Sequence, residues 1–250
     1  MSRFAKQSGH KPKIGPSCVA TTRQVIDVAV MERSLVIVKP DGTVRRSVGA
    51  RVLKALMDRG YQVKAFKEMK VSESLAKMHY DVHKEKPFFP WLVQFISSAP
   101  VLAMILEADD VIQGVRDALG ATFVQKAAPE SLRGKYGIWA GVNIAHASDA
   151  PETAATEIAL WTQEGGLTES EDADDLARTY IEKYAKTDID YTVEIRNQVR
   201  ASIEKGDVSN HVLESLEALF GKDSEGVPES DIRALAQAVF DFIEEEVEKQ

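Results

Sequence analysis

The chain has 250 residues, 44% of them hydrophobic, with 31 Lys+Arg against 39 Asp+Glu for a formal net charge of −8. That length and balance suit a globular protein with a buried core and exclude whole-chain disorder, and no uncharged apolar run approaches the roughly 18–20 residues of a membrane helix. The single cysteine, Cys18, excludes an intramolecular disulfide framework and fits a reducing compartment. The charge is unevenly placed: Met1 to Val30 holds five basic and one acidic residue, Met31 to Gln163 holds 17 and 15, and Glu164 to Gln250 holds 9 and 23. Such asymmetry points to segments with different tasks.

Residues 1–30 carry Ser, Thr, Lys, Pro and Gly without a periodic apolar pattern, so they read as a flexible basic arm or as sequence upstream of a start at Met31. The apolar core of a secretory signal is missing, as is the amphipathic Arg-rich helix of a transit peptide, and the expected location is the cytoplasm. Leu35-Val36-Ile37-Val38 is a buried strand, ended by the breaker cluster Lys39-Pro40-Asp41-Gly42. Val48, Val52, Leu53 and Leu56 recur at helical spacing, with Gly60 as the C-terminal stop. Tyr61 to Met69 reads as a strand with Tyr61, Val63, Ala65 and Phe66 towards a core. Ser72 caps a helix reaching about Val82, and a second short helix follows Pro87-Phe88-Phe89-Pro90.

Pro100 to Leu106 is another buried strand, and Asp109-Asp110 opens the next helix with charges suited to its N-terminus. A long stretch from Gly120 to Gly137 reads as a loop, and loops of that length in compact domains are usually functional. A short strand ending at His146 follows, and Ser148 or Asp149 is expected to cap a helix running to Trp161. The order predicts an α+β fold, a ferredoxin-like β-α-β-β-α-β sheet with added helices. A doubly wound α/β sheet would need more alternating strand–helix units.

After Gly165-Gly166 strand-like runs nearly vanish. Leu176, Ile181 and Tyr184 begin one helical stripe, and Val193, Ile195, Val199 and Ile203 make a second. Val212, Leu213, Leu216, Leu219 and Phe220 make a third; Ile232, Leu235, Val239, Phe240, Ile243 and Val247 make a fourth. The expected organisation is therefore an arm over 1–30, a sheet domain over 31–163, and a small acidic all-α appendage over 164–250, its stripes packing on each other or on a partner.

Asn143-Ile144-Ala145-His146-Ala147-Ser148-Asp149, read with Lys39-Pro40-Asp41-Gly42 and Arg133-Gly134-Lys135-Tyr136-Gly137, resembles nucleoside diphosphate kinase in the right order along the chain. His79-Tyr80, Lys86-Pro87-Phe88-Phe89, Ser97-Ser98-Ala99-Pro100-Val101, Leu119-Gly120-Ala121-Thr122 and Glu157-Ile158-Ala159-Leu160-Trp161 extend the match over Met31 to about Trp161. The resemblance implies a ferredoxin-like domain and a ping-pong transfer of a γ-phosphoryl group from a nucleoside triphosphate to a diphosphate through a phosphohistidine. Such transfer needs a nucleophile and donors that spread charge over the phosphate oxygens.

By the resemblance His146 is that nucleophile, Glu157 fixes its tautomer, and Ser148 supports the pair. An imidazole of ordinary pKa is largely neutral near pH 7, leaving one nitrogen lone pair free. Arg116, Thr122 and Arg133 match the family's phosphate-binding set, Lys39 and Asn143 its sugar and phosphate contacts, and Tyr80 a residue near the nucleophile. Phe88 matches the aromatic that stacks on the base, with Leu92 on the other side; a π-face is nearly indifferent to base identity. Mg²⁺ is expected chiefly on the phosphate oxygens, with no protein metal ligand. His10, His79, His83 and His211 are read as surface or satisfied core residues.

Four departures stand out. Ala147 replaces a usual glycine, Ala140 a larger apolar residue beside the base, Val82 a common acidic residue, and Phe123-Val124 an Asn-Pro pair tied to subunit contacts. The resemblance implies a homo-oligomer. A competing reading is a nucleotide-binding interaction protein with weak or no kinase activity, docking a protein partner through the acidic helices. Nucleic-acid binding rests on the basic arm alone and is not expected.

Overall fold

Four strands, β1 (Glu32–Val38), β2 (Gln62–Met69), β3 (Val101–Ala108) and β4 (Ala145–Ala147), form one antiparallel sheet in the order β2-β3-β1-β4. The computed structural model describes Met1, residues 31–186 and residues 188–249. Apart from Met1, the arm expected over 1–30 lies outside the described residues. The strand order is that of the ferredoxin-like β-α-β-β-α-β arrangement.

The two central strands are apolar throughout because both sheet faces are covered. Leu35 and Ile37 of β1 and Val101, Ala103 and Ile105 of β3 point to one face. Val36, Val38, Leu102, Met104 and Leu106 point to the other. Alternating side chains thus feed two cores, which is why the sequence shows continuous apolar runs in place of a polar–apolar alternation. A register shift between Val63 and Ala65 marks a bulge in β2. It lets Val63 and Phe66 face one core while Ala65 faces the other.

On the second face lie α2 (Arg46–Met57) and α5 (Val111–Leu119), and on the first lie α3 (Glu73–His79), α4 (Phe89–Ser98) and α7 (Pro151–Gln163). The C-terminal region forms four helices, α8 (Ala173–Tyr184), α9 (Thr192–Lys205), α10 (Asn210–Gly221) and α11 (Glu229–Glu248). These wrap the sheet from both sides. Ala173, Ala177, Tyr180 and Tyr184 of α8 join the second-face core, whereas Ile195, Val199, Val212, Leu216, Phe220, Leu235, Val239 and Ile243 join the first. Trp91 of α4 packs its ring 5.1 Å from Phe242 and donates Nε1–H to the Ala238 carbonyl at 2.8 Å. The apolar stripes are therefore packed on the sheet domain of the same chain. The exposed edge of β2 is also occupied: the Lys64 carbonyl accepts from Ser170 N at 3.0 Å, and Val63 N donates to Asp174 Oδ1 at 3.3 Å.

Several local expectations change. Ser72 does cap α3, accepting from Leu75 N at 3.2 Å, but the helix stops at His79 before a separate 3-10 turn over Asp81–His83. The N-cap of α7 is Ala150, with Pro151 opening the helix, because Ser148 spends its hydroxyl elsewhere. Asp110 sits in left-handed backbone and makes no side-chain cap; Ile112 N donates instead to Glu32 at 3.3 Å. The stretch from Gly120 to Gly137 is not structureless, holding a 3-10 turn at Val124–Lys126 and the short helix α6 (Leu132–Tyr136). In α8 Leu176 is exposed and Ala177 is buried, so small alanines and tyrosines, not the leucine, make the contact face. Among the described residues no helix is long and apolar enough to cross a membrane.

Candidate active site

The site gathers at the ends of β1 and β4. His146 is the middle residue of β4, and its backbone is fixed by antiparallel pairing opposite Ile37. Its Nε2 lies 3.0 Å from Glu157 Oε1, across the gap between β4 and α7. The N–H does not point straight along that line, so the contact is close but imperfectly aligned. Ser148 donates its hydroxyl to Glu157 Oε2 at 2.6 Å and accepts from Leu35 N at 3.1 Å. The serine is fully buried, so β1 holds Ser148, Ser148 holds Glu157, and Glu157 faces His146. With Nε2 turned to the carboxylate, Nδ1 is the ring nitrogen left for chemistry.

A second group forms where β1 runs into α1 (Pro40–Thr43). Lys39 Nζ donates to Asn143 Oδ1 at 2.8 Å, and Asn143 Nδ2 donates to the Thr122 carbonyl at 2.8 Å. Burial, aided by Arg133, pushes the Lys39 ammonium down to about 8, with Asp41 opposing. Arg133, on α6, donates from its two terminal nitrogens to the Gly120 carbonyl at 2.9 Å and the Ala145 carbonyl at 2.8 Å. Burial, then Arg116, pushes Arg133 down to about 10. Its Nε is buried without a partner, as is the Tyr80 hydroxyl. These are donors held at fixed positions, and a phosphate oxygen is the acceptor they fit.

Arg116 stands exposed in the last turn of α5, close enough to depress Arg133. Thr122 is exposed too, tied to Asn143 through its carbonyl. Phe88 precedes α4 with 42% of its surface exposed, while Leu92 is buried one turn on and Phe89 packs on the core. Rings connect this aromatic to His146: Phe88 lies 5.7 Å from His83, His83 6.5 Å from Tyr80, Tyr80 4.6 Å from His79, and His79 4.6 Å from His146.

The structure adds residues that sequence reasoning missed. His79 is not a satisfied core histidine. Its Nδ1 accepts from Trp161 Nε1 at 3.3 Å, but its Nε2 is buried and unpartnered, and burial holds it neutral. Asp41, read only as part of a breaker cluster, is fully buried and accepts from Ile144 N at 3.0 Å. Ile144 adopts φ 65, a left-handed backbone that costs a β-branched residue of order 1–3 kcal/mol. That bond and the 2.7 Å bond from Lys39 N to the Ile144 carbonyl hold the strained turn two residues before His146. Gly42 is required here, since a Cβ would stand 2.7 Å from Val38 and 3.3 Å from the Ile144 carbonyl.

The departures are readable too. Ala147 lies in β4 without positive φ, its methyl buried in the core. Ala140 occupies left-handed backbone at φ 41 in the turn between Trp139 and Val142, its N–H donating to Gln125 Oε1 at 3.0 Å. Val82 is exposed, and the neighbouring Asp81 pairs with Lys84 at 3.2 Å. Among the described residues, ligand atoms of His79, His146 and Glu157 lie within 4.8 Å of one another. Two imidazoles suit a softer ion than Mg²⁺, whereas cationic Lys39, Arg116 and Arg133 suit the phosphates that Mg²⁺ accompanies.

A histidine held by a carboxylate, with an arginine and a buried lysine bonded to the two residues before it, is a chemistry suited to phosphate at the end of an antiparallel α+β sheet. The family model for nucleoside diphosphate kinase matches residues 32–166. The chain is 47% identical over 137 residues to the nucleoside diphosphate kinase of Synechococcus sp. (strain JA-3-3Ab), covering 55% of this chain and 91% of that relative. Among solved structures it resembles the nucleoside diphosphate kinase of Halobacterium salinarum in complex with CDP, at 40% identity and TM-score 0.52, over 59% of this chain and 99% of that one. The Aquifex aeolicus enzyme matches at 39% identity and TM-score 0.51, over 56% and 100%. The chain belongs to the nucleoside diphosphate kinase family, with α8–α11 beyond the matched region.

Proposed function

We propose that the chain moves the γ-phosphoryl group of a nucleoside triphosphate, typically ATP, to a nucleoside diphosphate through a phosphohistidine on His146. The observation carrying this reading is the His146–Glu157–Ser148 relay, which turns Nε2 to the carboxylate and leaves Nδ1 as the free ring nitrogen. Nδ1 attacks the γ-phosphorus, the bond to the β–γ bridging oxygen breaks, and the diphosphate leaves with that oxygen. A β-phosphate oxygen of a second diphosphate then attacks the phosphohistidine and restores the imidazole. Glu157 stabilises the ring as charge builds on it, and Ser148 keeps the carboxylate in line.

Arg133 Nε, the Tyr80 hydroxyl, Arg116, Thr122 and the Lys39 ammonium receive the phosphate oxygens, with Lys39 oriented by Asn143. Mg²⁺ carried on the nucleotide would neutralise phosphate charge, with no protein side chain needed to hold it. Phe88 stacks on the base and Leu92 supports its far side, so affinity comes from a π-face and not from base edges. CDP bound to the Halobacterium salinarum relative supports a nucleotide in the corresponding cleft. A purely docking role for the tail has less support, because its stripes are buried on this chain. Self-association of the kind the family implies has to use a surface other than the β2 edge, which Ser170 and Asp174 occupy.

The full chain incubated with γ-labelled ATP is expected to carry acid-labile label on His146 and to pass it to added diphosphates of every base. His146→Ala is expected to lose labelling and at least about four orders of magnitude of turnover. Retained labelling in that variant would overturn the assignment.

A further inference from the structure

The helix that carries Arg133 is too short to hold itself. Over Leu132–Tyr136, α6 leaves the carbonyls of Gly134, Tyr136 and Gly137 without a helical partner. All three are satisfied by guanidinium groups. Arg196, in the second turn of α9, donates from Nε to the Gly137 carbonyl at 3.0 Å and from a terminal nitrogen to the carbonyls of Gly137 and of Gly134, the latter at 3.1 Å. Arg45 donates to the Tyr136 carbonyl at 2.8 Å.

Arg45 is itself set from the tail. It is almost fully buried, donating to Thr192 Oγ1 at 2.7 Å and from Nε to the Asp41 carbonyl at 2.6 Å. Thr192 opens α9, one turn before Arg196, and its N–H is fixed by Asp190 at 2.9 Å. One tail helix thus grips both ends of the phosphate-binding group. Arg196 meets the negative end of α6, where a cation is favoured, and Thr192, through Arg45, meets the α1 turn that holds Asp41, Ile144 and the Lys39 backbone.

We propose that α9 is a built-in positioning element of the active site. Arg196, seated by the tail, caps α6 and sets Arg133 for the transferring phosphate, so phosphoryl transfer in this chain depends on residues outside the family-matched region. Arg196 touches no substrate; it acts through Arg133. The inference rests on the phosphohistidine reading above. A displaced Arg133 guanidinium lowers transition-state stabilisation, and misplacement of about 1 Å can cost on the order of 10²-fold.

The test is a double-mutant cycle in the full chain, read as the single-turnover rate of His146 labelling by γ-labelled ATP and as kcat and KM. Arg196→Ala is expected to slow labelling and kcat about 10–30-fold while KM for ATP moves less than about threefold. In an Arg133→Ala background the same change is expected to have little further effect, since its route to the phosphate is gone. Additive losses in the cycle, or wild-type labelling rates in Arg196→Ala, would overturn the inference. Should Arg196→Ala fail to fold, the cycle is read with Arg196→Lys, which keeps one donor and is expected to lose about threefold. Arg200→Ala, at an exposed α9 residue that among the described residues pairs only with Asn197, is the control expected to match wild type. A wild-type chain that never labels would sink the kinase reading itself, a result distinct from a labelled wild type with an indifferent Arg196.

Discussion

Buried polar groups are handled differently in the two regions of the chain. In α8–α11 they are paired: Thr192 accepts from Arg45, Ser202 accepts from Gln198 at 3.3 Å, and Asp231 accepts from Lys70 at 2.6 Å. Among the described residues of the sheet domain, Asp41 Oδ1, His79 Nε2, the Tyr80 hydroxyl, Arg133 Nε and Ser97 Oγ are buried and unpartnered, and all but Ser97 belong to residues around His146. An unpaired buried group costs about 1–3 kcal/mol, and Ile144 adds backbone strain. The tail pays in the opposite currency, adding packed helices and satisfied polar contacts directed at the sheet domain. The contrast teaches that satisfied packing and unsatisfied buried polar groups are separated here by region, with Arg196 bonding one region to the other.

The strongest way to break that comparison is to remove the tail. A chain ending at Gln163 exposes Trp91, the first-face core under α9–α11 and the edge of β2. Each large side chain uncovered loses roughly 1.5–3 kcal/mol of burial, against a total stability of about 5–15 kcal/mol. The expected product is insoluble or lacks a cooperative thermal transition by circular dichroism. A soluble truncated chain that melts cooperatively and turns over at the full rate would show that the tail is an accessory.

A second, smaller effect isolates the strained side of the comparison through pH. The folded Lys39 has a pKa of about 8, below its ordinary value. Between about 8 and the ordinary 10.5, the unfolded chain binds the proton that the folded chain has lost, so this group's contribution to stability rises with pH in that window. Under the proposed function nucleotide binding runs the other way, because phosphate favours the ammonium. KM for ATP is therefore expected to rise above about pH 8, by up to roughly tenfold per pH unit, and the rise is expected to vanish in Lys39→Met. An unchanged alkaline limb in that variant would place the titrating group elsewhere.

The sheet and the segment around His146 were legible because they are written locally. Continuous apolar runs mark strands covered on both faces, and an ordered set of short motifs marks Lys39, Arg133 and His146. Four tail helices were legible from periodicity, but where they pack was not. A helical stripe records that a face is buried without naming what covers it, and in α8 the face proved to be Ala177 and Tyr180 instead of Leu176. Asp41 was hidden inside a Pro-Asp-Gly sequence that reads equally well as a turn. Ile144 was hidden because left-handed backbone at a β-branched residue contradicts its own propensity and exists only where surrounding contacts impose it. Arg45 and Arg196 carry no motif signal in the sequence; they reach backbone carbonyls 91 and 59 residues away, respectively.

The smallest expected effect sharpens the comparison most, because it asks for stability to move while chemistry stays. The N-terminus of α2 has no side-chain cap of its own, since Arg45 occupies the N-cap position. Asp223, between α10 and α11, supplies one from the tail, accepting from Ser47 N at 2.8 Å and from the Ser47 hydroxyl at 3.1 Å, while its own carbonyl accepts from Arg46 N at 2.8 Å. A carboxylate there satisfies orphan N–H groups and meets the positive end of the helix. Replacing an N-cap of this kind with alanine costs about 0.5–2 kcal/mol, which for a chain of this size lowers Tm by roughly 1–8 °C. Asp223→Ala is expected to show that shift in thermal denaturation while kcat stays within about twofold of wild type, because α2 presents no group to the phosphate. A large loss of kcat in Asp223→Ala would mean that the whole tail, and not α9 through Arg196 in particular, sets the geometry around His146.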